Sequence, residues 1–514
     1  MSRSVQSGAD RFALLLSLLA VLAAYLVHDR VFERMAHLED EMAYLWQAQV
    51  IAKGELLLPS PPSPTNFLYP FVVDYQGQRF GKYPIGWPVV LSFGERLGVR
   101  FIVNPLLAGF GVWLTYLLGK RVFGKTVGLL AAGLTLSSPF FLMNSGSLLS
   151  HPLGLVLSLA FALAWLDAFV YNFTAPRWLP ALVAAAALGL LALSRPFTAL
   201  CIGVPFAFHG LFLLIRGDSA TRWRLVMLGA VALSITSLHF LWQYAVTGNA
   251  LLNPYTLWWQ YDKIGFGPGV GRVPGGHTLY QAWINTRFNL VVGRADLFGW
   301  ATFSWIFLPV GLLAILRNRN WRALLPVSVF ISLFVFYNAY WIGAWVFGPR
   351  YYYEGLFSLT LLSAAGIAFL AGWPTLPEQP FPNYAGWRKA QPLLVTALVS
   401  LLVLFNLIFY IPVRLAMLHG LYGVSASHLA PFQTPEAQAL TPALIIVHAT
   451  QGWIEYGTLL ELETPFLDTP FIFAYARSPQ VDSNLPALFP DRNIYHYYPS
   501  RNPYLFYQAP LTPN

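Results

Sequence analysis

The sequence predicts an all-α polytopic membrane protein with a small mixed α/β region at its C-terminal end. Of its 514 residues, 56% are hydrophobic and only 10% are charged, whereas a soluble domain carries about 25% charged residues. The hydrophobic residues also gather in about eleven segments, several of them near the short end of the length that spans a bilayer. A single cysteine, Cys201, leaves no internal disulfide and no cysteine-based metal cluster to consider.

The apolar segments define a transmembrane module over residues 1–411. They are residues 12–27, 101–119, 126–143, 150–170, 178–193, 197–215, 223–245, 300–316, 321–341, 355–371 and 391–411. A further apolar piece, 84–97, is interrupted by glycine, proline and a glutamate, which predicts an interfacial or re-entrant segment. Two large loops, 28–100 and 246–299, separate the others.

Charge predicts the orientation of these segments in the cell membrane. The basic clusters GKRVFGK, RGDSATRWR and RNRNWR lie in short connections, which the positive-inside rule places in the cytoplasm together with the N-terminus. Both large loops are then extracytoplasmic. The formal net charge of +9 reflects this topology and contact with anionic membrane lipids, and we expect no nucleic-acid partner.

Residues 412–514 are only weakly apolar. Strand-like pieces such as ALIIVHA and PFIFAYA are separated by proline and polar turns. They predict a small mixed α/β domain on the extracytoplasmic side.

The first large loop contains three consecutive carboxylates, Glu39, Asp40 and Glu41, at the head of a helix-like run from His37 to Glu55. They suit the positive N-terminus of that helix. Alternatively, they supply a catalytic carboxylate just outside the bilayer. Adjacent residues point about 100° apart on a helix, so Asp40 and Glu41 cannot flank one bond as paired glycosidase carboxylates do. A single catalytic base fits better.

Other unusual polar groups lie at the predicted outer ends of spans. The candidate substrate-binding residues are Lys82, Tyr83, His151, Arg195, Arg350 and Tyr352, with Arg272 and His277 in the glycine-rich run IGFGPGVGRVPGGH. That run does not have the spacing of a phosphate-binding loop, and we interpret it as a mobile loop that folds over substrate. Convergence of acids, cations and a histidine on one surface is typical of an active site built on loops.

Structural interpretations stay open for several of these residues. Arg195 could snorkel to the membrane interface, and His151 could cap its helix. Arg350 could pair with Glu354, four residues on. Lys82 lies on a turn bounded by glycine and proline, where its ammonium suits a phosphate.

One base with several cations predicts an inverting group transfer. The carboxylate takes the proton of an acceptor hydroxyl, whose oxygen attacks an anomeric carbon. A lipid phosphate then leaves, its charge met by Lys82 and an arginine.

The motifs also resemble those of a known superfamily. They are DEMAYLWQA at 40–48, GKYPIGWP at 81–88, SPFFL at 138–142 with SHP at 150–152, SRP at 194–196 and GPRYYYE at 348–354. In these, the chain resembles the GT-C glycosyltransferases over roughly residues 10–370. Within that superfamily it is similar to the group named after rhizobial lipopolysaccharide galacturonic-acid transferases and to the protein O-mannosyltransferases of glycosyltransferase family 39.

The resemblance implies a polyprenyl-phosphate-linked sugar donor and an extracytoplasmic lipid, glycan or protein acceptor. It implies that Asp40 is the base, or an acid near a metal, and that Glu41 is the second acidic position. Related aminoarabinose transferases carry an acid before the lysine that meets donor phosphate. Here Gly81 precedes Lys82, so the resemblance leaves a divalent metal possible without requiring it.

Two other functions compete with the enzyme hypothesis. A transporter or flippase of lipid-linked saccharides needs polar or charged residues at mid-membrane, whereas His239 and Asn338 lie near outer ends of spans and Asp167 near an inner one. An assembly protein without chemistry would leave the outer charges scattered over separate surfaces.

Overall fold

The computed structural model describes residues 8–171, 178–382, 384 and 386–511, and it is mostly helical. The α-helices are, in chain order, α1 Gly8–Arg30, α2 Glu39–Ala52, α3 Gly86–Arg96, α4 Arg100–Val122, α5 Lys125–Leu136, α6 Pro139–Gly146, α7 His151–Phe169, α8 Trp178–Ser194, α9 Pro196–Arg216, α10 Ser219–Thr247, α11 Pro254–Trp258, α12 Leu279–Asp296, α13 Leu308–Arg317, α14 Leu324–Phe336, α15 Leu356–Leu370, α16 Ala390–Phe405, α17 Ile411–Ala416, α18 Pro435–Gln438, α19 Trp453–Tyr456, α20 Pro479–Asp482 and α21 Leu485–Leu488. The β-strands are β1 Leu58–Pro59, β2 Val72–Tyr75, β3 Gln78–Gly81, β4 Ala443–Val447, β5 Phe471–Tyr475, β6 Asn493–Tyr497 and β7 Phe506–Tyr507.

Within these ranges, eight helical stretches are long and apolar enough to cross a membrane. The pair α5 and α6, bent by 59°, adds a ninth if it counts as one span, and α8 and α13 are shorter apolar helices. Each of the eleven predicted apolar segments therefore contains a helix. The prediction of a polytopic helical protein is confirmed.

The bend between α5 and α6 has a local cause. Pro139 begins α6, and a proline disfavours helical conformation in the residue before it, Ser138. The Ser138 hydroxyl instead accepts a hydrogen bond from the backbone N–H of Phe141 at 3.2 Å and so caps α6. The bend directs α6 and the turn after it toward the catalytic candidates of the first loop.

The two predicted loops contain more regular structure than the sequence predicts. In the first, β1, β3 and β2 form an antiparallel sheet, and α3 covers the piece predicted as interfacial or re-entrant. In the second, α12 spans 18 residues that were not predicted as helix. A reciprocal capping box of Thr278 and Gln281 begins it.

The C-terminal region has the predicted mixed character. Its strands form one sheet in the order β5-β4-β6-β7, with β4 parallel to both β5 and β6 and β7 antiparallel to β6. All five residues of β4 are buried. The mixed α/β character is confirmed, and the domain boundary at residue 412 stays a prediction.

The C-terminal sheet contacts the first loop directly. Asn66 donates from its side-chain amide to the Tyr475 carbonyl at 3.0 Å and to the Asp482 carboxylate at 2.8 Å. Its own carbonyl accepts from the Tyr475 N–H at 2.6 Å. Residues more than 400 positions apart in the sequence thus hold the loop against the sheet.

Candidate active site

A cavity of about 950 Å³ opens at the end of the helical bundle where the first loop lies. Residues from many separate elements line it. Among them are Glu39, Asp40, Lys82, Tyr83, His151, Arg195, Arg272 and Arg350. The predicted carboxylate and cations therefore share one space, and the scattered surfaces that an assembly protein would show are not observed for them.

Asp40 lies in the first turn of α2 and faces this cavity. Its Oδ2 is 2.9 Å from Nη2 of Arg350, and its Oδ1 accepts a hydrogen bond from the Tyr83 hydroxyl. Burial alone would raise the pKa of Asp40, but the charge of Arg350 and the Tyr83 hydrogen bond outweigh it and lower that pKa below its ordinary value. Asp40 is therefore held as a carboxylate.

Glu41 lies behind the cavity wall. It is 1% exposed, and its carboxylate accepts backbone N–H groups of His37 at 3.0 Å, Leu38 at 2.8 Å and Leu148 at 2.6 Å. Burial raises its pKa to about 7 in spite of these donors. The arrangement supports capping of α2 for Glu41, which does not line the cavity where substrate would be.

Lys82 lies at the cavity wall, directly after β3. Its ammonium is 3.4 Å from Oδ2 of Asp262 and 3.6 Å from the ring centre of Phe71. The Lys82 side chain is only 2% exposed, and this burial lowers its pKa in spite of the nearby Asp262.

Arg195 and His151 both contact one buried carboxylate, that of Glu354. Glu354 lies 2.9 Å from Nε of Arg195 and 3.0 Å from Nδ1 of His151. Arg195 also donates from Nη1 to the Ser150 hydroxyl at 3.0 Å. The sequence alternative that paired Arg350 with Glu354 is wrong, because Arg350 pairs with Asp40 and Glu354 pairs with Arg195.

Arg272 lies in the glycine-rich run. Its guanidinium carbon is 4.8 Å from the ring centre of Trp259 and 5.6 Å from that of Trp341. It also donates from Nε to the Tyr261 hydroxyl at 3.1 Å. This stacking places a cation at the cavity edge.

Two predicted binding residues lie outside the cavity lining. His277 is held through Nε2 to the Asn338 carbonyl at 2.9 Å and stacks on Phe266. Tyr352 is 2% exposed and packs edge-on against Phe330. Both side chains therefore contact other protein groups and do not line the cavity. Tyr351, the neighbour of Tyr352, does line it.

Two acids of the site were not predicted from the sequence. Asp262 is a lone carboxylate among aromatic residues, and Glu354 was considered only as a partner of Arg350. The available signal was an acid in an apolar environment, because a buried charge requires a partner. Such a signal gives no information about which cation is the partner.

The residues of the cavity do not fit a divalent cation. Both oxygens of Asp40 are engaged, by Arg350 and Tyr83. In the part of the chain that the structure describes, no three His, Cys, Asp or Glu side chains come together as a possible metal site.

Comparison with known proteins bears on the fold of the chain. Residues 89–242 match the family model of dolichyl-phosphate-mannose-protein mannosyltransferase. The structure is similar to that of ArnT from Cupriavidus metallidurans bound to undecaprenyl phosphate, with a TM-score of 0.57, 15% identity, and coverage of 95% of this chain and 90% of that chain. The chain has the GT-C fold. The GT-C fold that the motif resemblance implies is thus confirmed.

A second GT-C protein is also similar in structure. It is the archaeal oligosaccharyltransferase AglB from Archaeoglobus fulgidus, in complex with an inhibitory peptide and a dolichol-phosphate. Its TM-score is 0.51 at 12% identity, with 95% of this chain and 69% of that chain covered. No curated protein matches the chain by sequence.

Proposed function

We propose that this GT-C protein is an integral-membrane glycosyltransferase that uses a polyprenyl-phosphate-linked sugar. The acceptor is a hydroxyl of a lipid, glycan or protein on the extracytoplasmic side. One observation carries the proposal: the Asp40 carboxylate faces the same cavity as Lys82, Arg195 and Arg350. The undecaprenyl phosphate bound to the structurally similar ArnT supports the class of donor.

The charges suit an inverting transfer with Asp40 as base. The acceptor oxygen forms a bond to the anomeric carbon as the bond from that carbon to the phosphate oxygen breaks. The acceptor proton passes to Asp40, and the lipid phosphate leaves with the electron pair. Fixed cations stabilise the negative charge that develops on the phosphate.

The cavity also suits the lipid part of such a donor. Phe240 on α10 and Leu251 after it line the cavity and are 45% and 81% exposed. Apolar side chains at the mouth of a charged cavity favour a polyprenyl chain that lies in the bilayer with its phosphate inside.

Asp40→Asn tests the proposal. We expect this variant, purified in lipid nanodiscs, to lose transfer from undecaprenyl-phosphate-linked sugars by roughly 10²-fold or more, because a general base contributes about that much. The measurement is release of undecaprenyl phosphate, with a mass-spectrometric comparison of envelope glycans and lipids from cells carrying each variant.

Glu55→Gln is the matched control. Glu55 is an exposed carboxylate just after α2, and it does not belong to the cavity lining. We expect this control to keep full activity. Unchanged transfer by Asp40→Asn would remove Asp40 from the mechanism.

A further inference from the structure

Asp262 is a buried carboxylate that the proposed mechanism does not use. It lies between α11 and α12, in the loop that forms one wall of the cavity. Its side chain is 3% exposed. One oxygen, Oδ2, is 3.4 Å from the Lys82 ammonium, while Oδ1 accepts a hydrogen bond from the Trp341 indole at 3.0 Å.

The surroundings of Lys82 leave its ammonium little room for another anion. Ring centres of Phe71 and Trp259 lie 3.6 Å and 4.5 Å from Nζ. The rings of Tyr83 and Tyr255 lie at 5.2 Å each. With the side chain 2% exposed, the one full negative charge in direct contact with Nζ is that of Asp262, within the part of the chain that the structure describes.

A lipid phosphate and Asp262 must therefore compete for the same ammonium. Two anions that approach one buried cation repel each other strongly, since the local dielectric is low. A phosphate that binds Lys82 has to displace Oδ2 of Asp262, at a cost in binding free energy.

We propose that Asp262 is an internal counter-ion of Lys82. A polyprenyl phosphate displaces the Asp262 carboxylate from the ammonium on binding, and the carboxylate returns as the lipid phosphate product leaves. This inference rests on the proposed function, because it takes the donor to carry a lipid phosphate. Asp262 is a positioning residue in this scheme. It keeps the ammonium in place between turnovers and limits how tightly the product is held.

The contacts of the other carboxylate oxygen make the displacement feasible. Oδ1 receives the Trp341 indole at 3.0 Å and the Tyr340 hydroxyl at 3.5 Å, and neither bond involves Lys82. Asp262 therefore keeps these two hydrogen-bond donors when the Lys82 ammonium moves to contact a phosphate. A buried carboxylate with remaining donors is far less costly than one without any.

Asp262→Asn tests the inference through the sign of its effect. The amide keeps the shape and can still accept from Trp341, but it removes the charge that competes with phosphate. We expect this variant to bind undecaprenyl phosphate roughly tenfold more tightly than the wild type, as loss of one charged contact allows. Structural damage would weaken binding, so it cannot imitate this result.

The measurement is a titration of the full chain in lipid nanodiscs with undecaprenyl phosphate. Tryptophan fluorescence reports binding, since Trp259 and Trp341 lie at the site. Asp262→Glu retains the charge and should bind as the wild type does. In turnover, Asp262→Asn should show a lowered KM for the donor and stronger inhibition by added undecaprenyl phosphate.

Each outcome is decisive. Equal or weaker binding by Asp262→Asn overturns the counter-ion inference while the proposed function stands, provided that the wild type binds and Lys82→Gln binds more weakly. A wild type that does not bind undecaprenyl phosphate overturns the proposed donor class, and the inference with it. Tighter binding by Asp262→Asn with wild-type behaviour of Asp262→Glu supports the inference.

Discussion

The ionisation of Asp40 depends on the balance of two opposed influences. Burial favours the neutral acid, whereas the guanidinium of Arg350 at 2.9 Å and the hydroxyl of Tyr83 favour the carboxylate. The carboxylate prevails, so the pKa of Asp40 lies below its ordinary value. A phosphate that draws Arg350 away from Asp40 would therefore raise the basicity of Asp40 when donor is bound.

Arg350→Gln should move the pH dependence of transfer. In the proposed mechanism the ionised form of Asp40 is the base, and without Arg350 burial raises the pKa of that carboxyl. Activity is lost as pH falls through this pKa, so the acidic limb of kcat/KM against pH should shift to higher pH. Arg350→Lys, which retains a positive charge, should shift it less. An acidic limb at the same pH in all three proteins would contradict the assignment of Asp40 as base.

At the scale of residues, the acidic triplet shows what the sequence could predict about the site and what it could not. Composition and position placed carboxylates outside the first span, and the capping and catalytic interpretations were both open. The structure separates the two residues: Glu41 accepts three backbone N–H groups, whereas Asp40 faces the cavity and stays the candidate base. The difference depends on where Leu148 comes to lie against α2, which is a tertiary contact that local sequence does not encode.

At the scale of elements, close packing of a glycine brings two sequence motifs together. Gly86 in GKYPIGWP begins α3, and a Cβ at that position would lie 2.8 Å from the carbonyl carbon of Leu193. Leu193 and Ser194 end α8 immediately before Arg195. Contact between these two turns therefore holds the segments that carry Lys82 and Arg195 side by side.

Gly86→Ala should separate these elements. The added methyl group also meets the backbone N of Ser194 at 2.8 Å, so backbone must move, at a cost of about 1–3 kcal/mol. We expect a lower unfolding temperature and reduced kcat/KM for an undecaprenyl-phosphate-linked sugar. Gly133→Ala in α5 is the control, because a Cβ there meets nothing within 4 Å; it should be neutral or slightly stabilising. Equal behaviour of the two variants would refute the packing argument.

Hydrophobicity identified the long apolar helices, since a bilayer dictates their length and composition. It did not identify α12, whose sequence LYQAWINTRFNLVVGRAD mixes polar and apolar residues without a clear stripe. The capping box of Thr278 and Gln281 was the one local signal there, and aromatic and glycine content around it favoured a loop. Hydrophobicity alone therefore does not predict a helix of mixed polar and apolar sequence such as α12.

At the scale of the whole molecule, the C-terminal region is joined to the helix that carries the proposed base. Glu461 receives Nη2 of Arg100 at 2.7 Å, at the start of α4, and the backbone N–H of Ala36 at 3.1 Å, just before α2. The sequence predicted strand-like pieces at β4 and β5 of this region. It contained no sign of this contact, because the partners are more than 350 residues apart.

Glu461→Gln should therefore affect catalysis from a distance. Loss of the charged hydrogen bond to Arg100 costs about 2 kcal/mol of stability. The net cost is smaller, because the Arg100 side chain is 25% exposed and water partly replaces the lost partner. The chain that enters α2 loses an anchor, so Asp40 is positioned less well while Lys82 and Asp262 keep their contacts. We expect kcat to fall several-fold, with little change in affinity for undecaprenyl phosphate.

A double-mutant cycle separates this contact from general damage. Arg100→Gln should lower kcat in the same way, and the double variant should cost little more than either single variant, because both remove one interaction. Glu436→Gln, at an exposed carboxylate of the same region, should behave as the wild type. Fully additive effects of the two substitutions would mean that Glu461 and Arg100 act separately. The C-terminal region would then not position α2 through this pair.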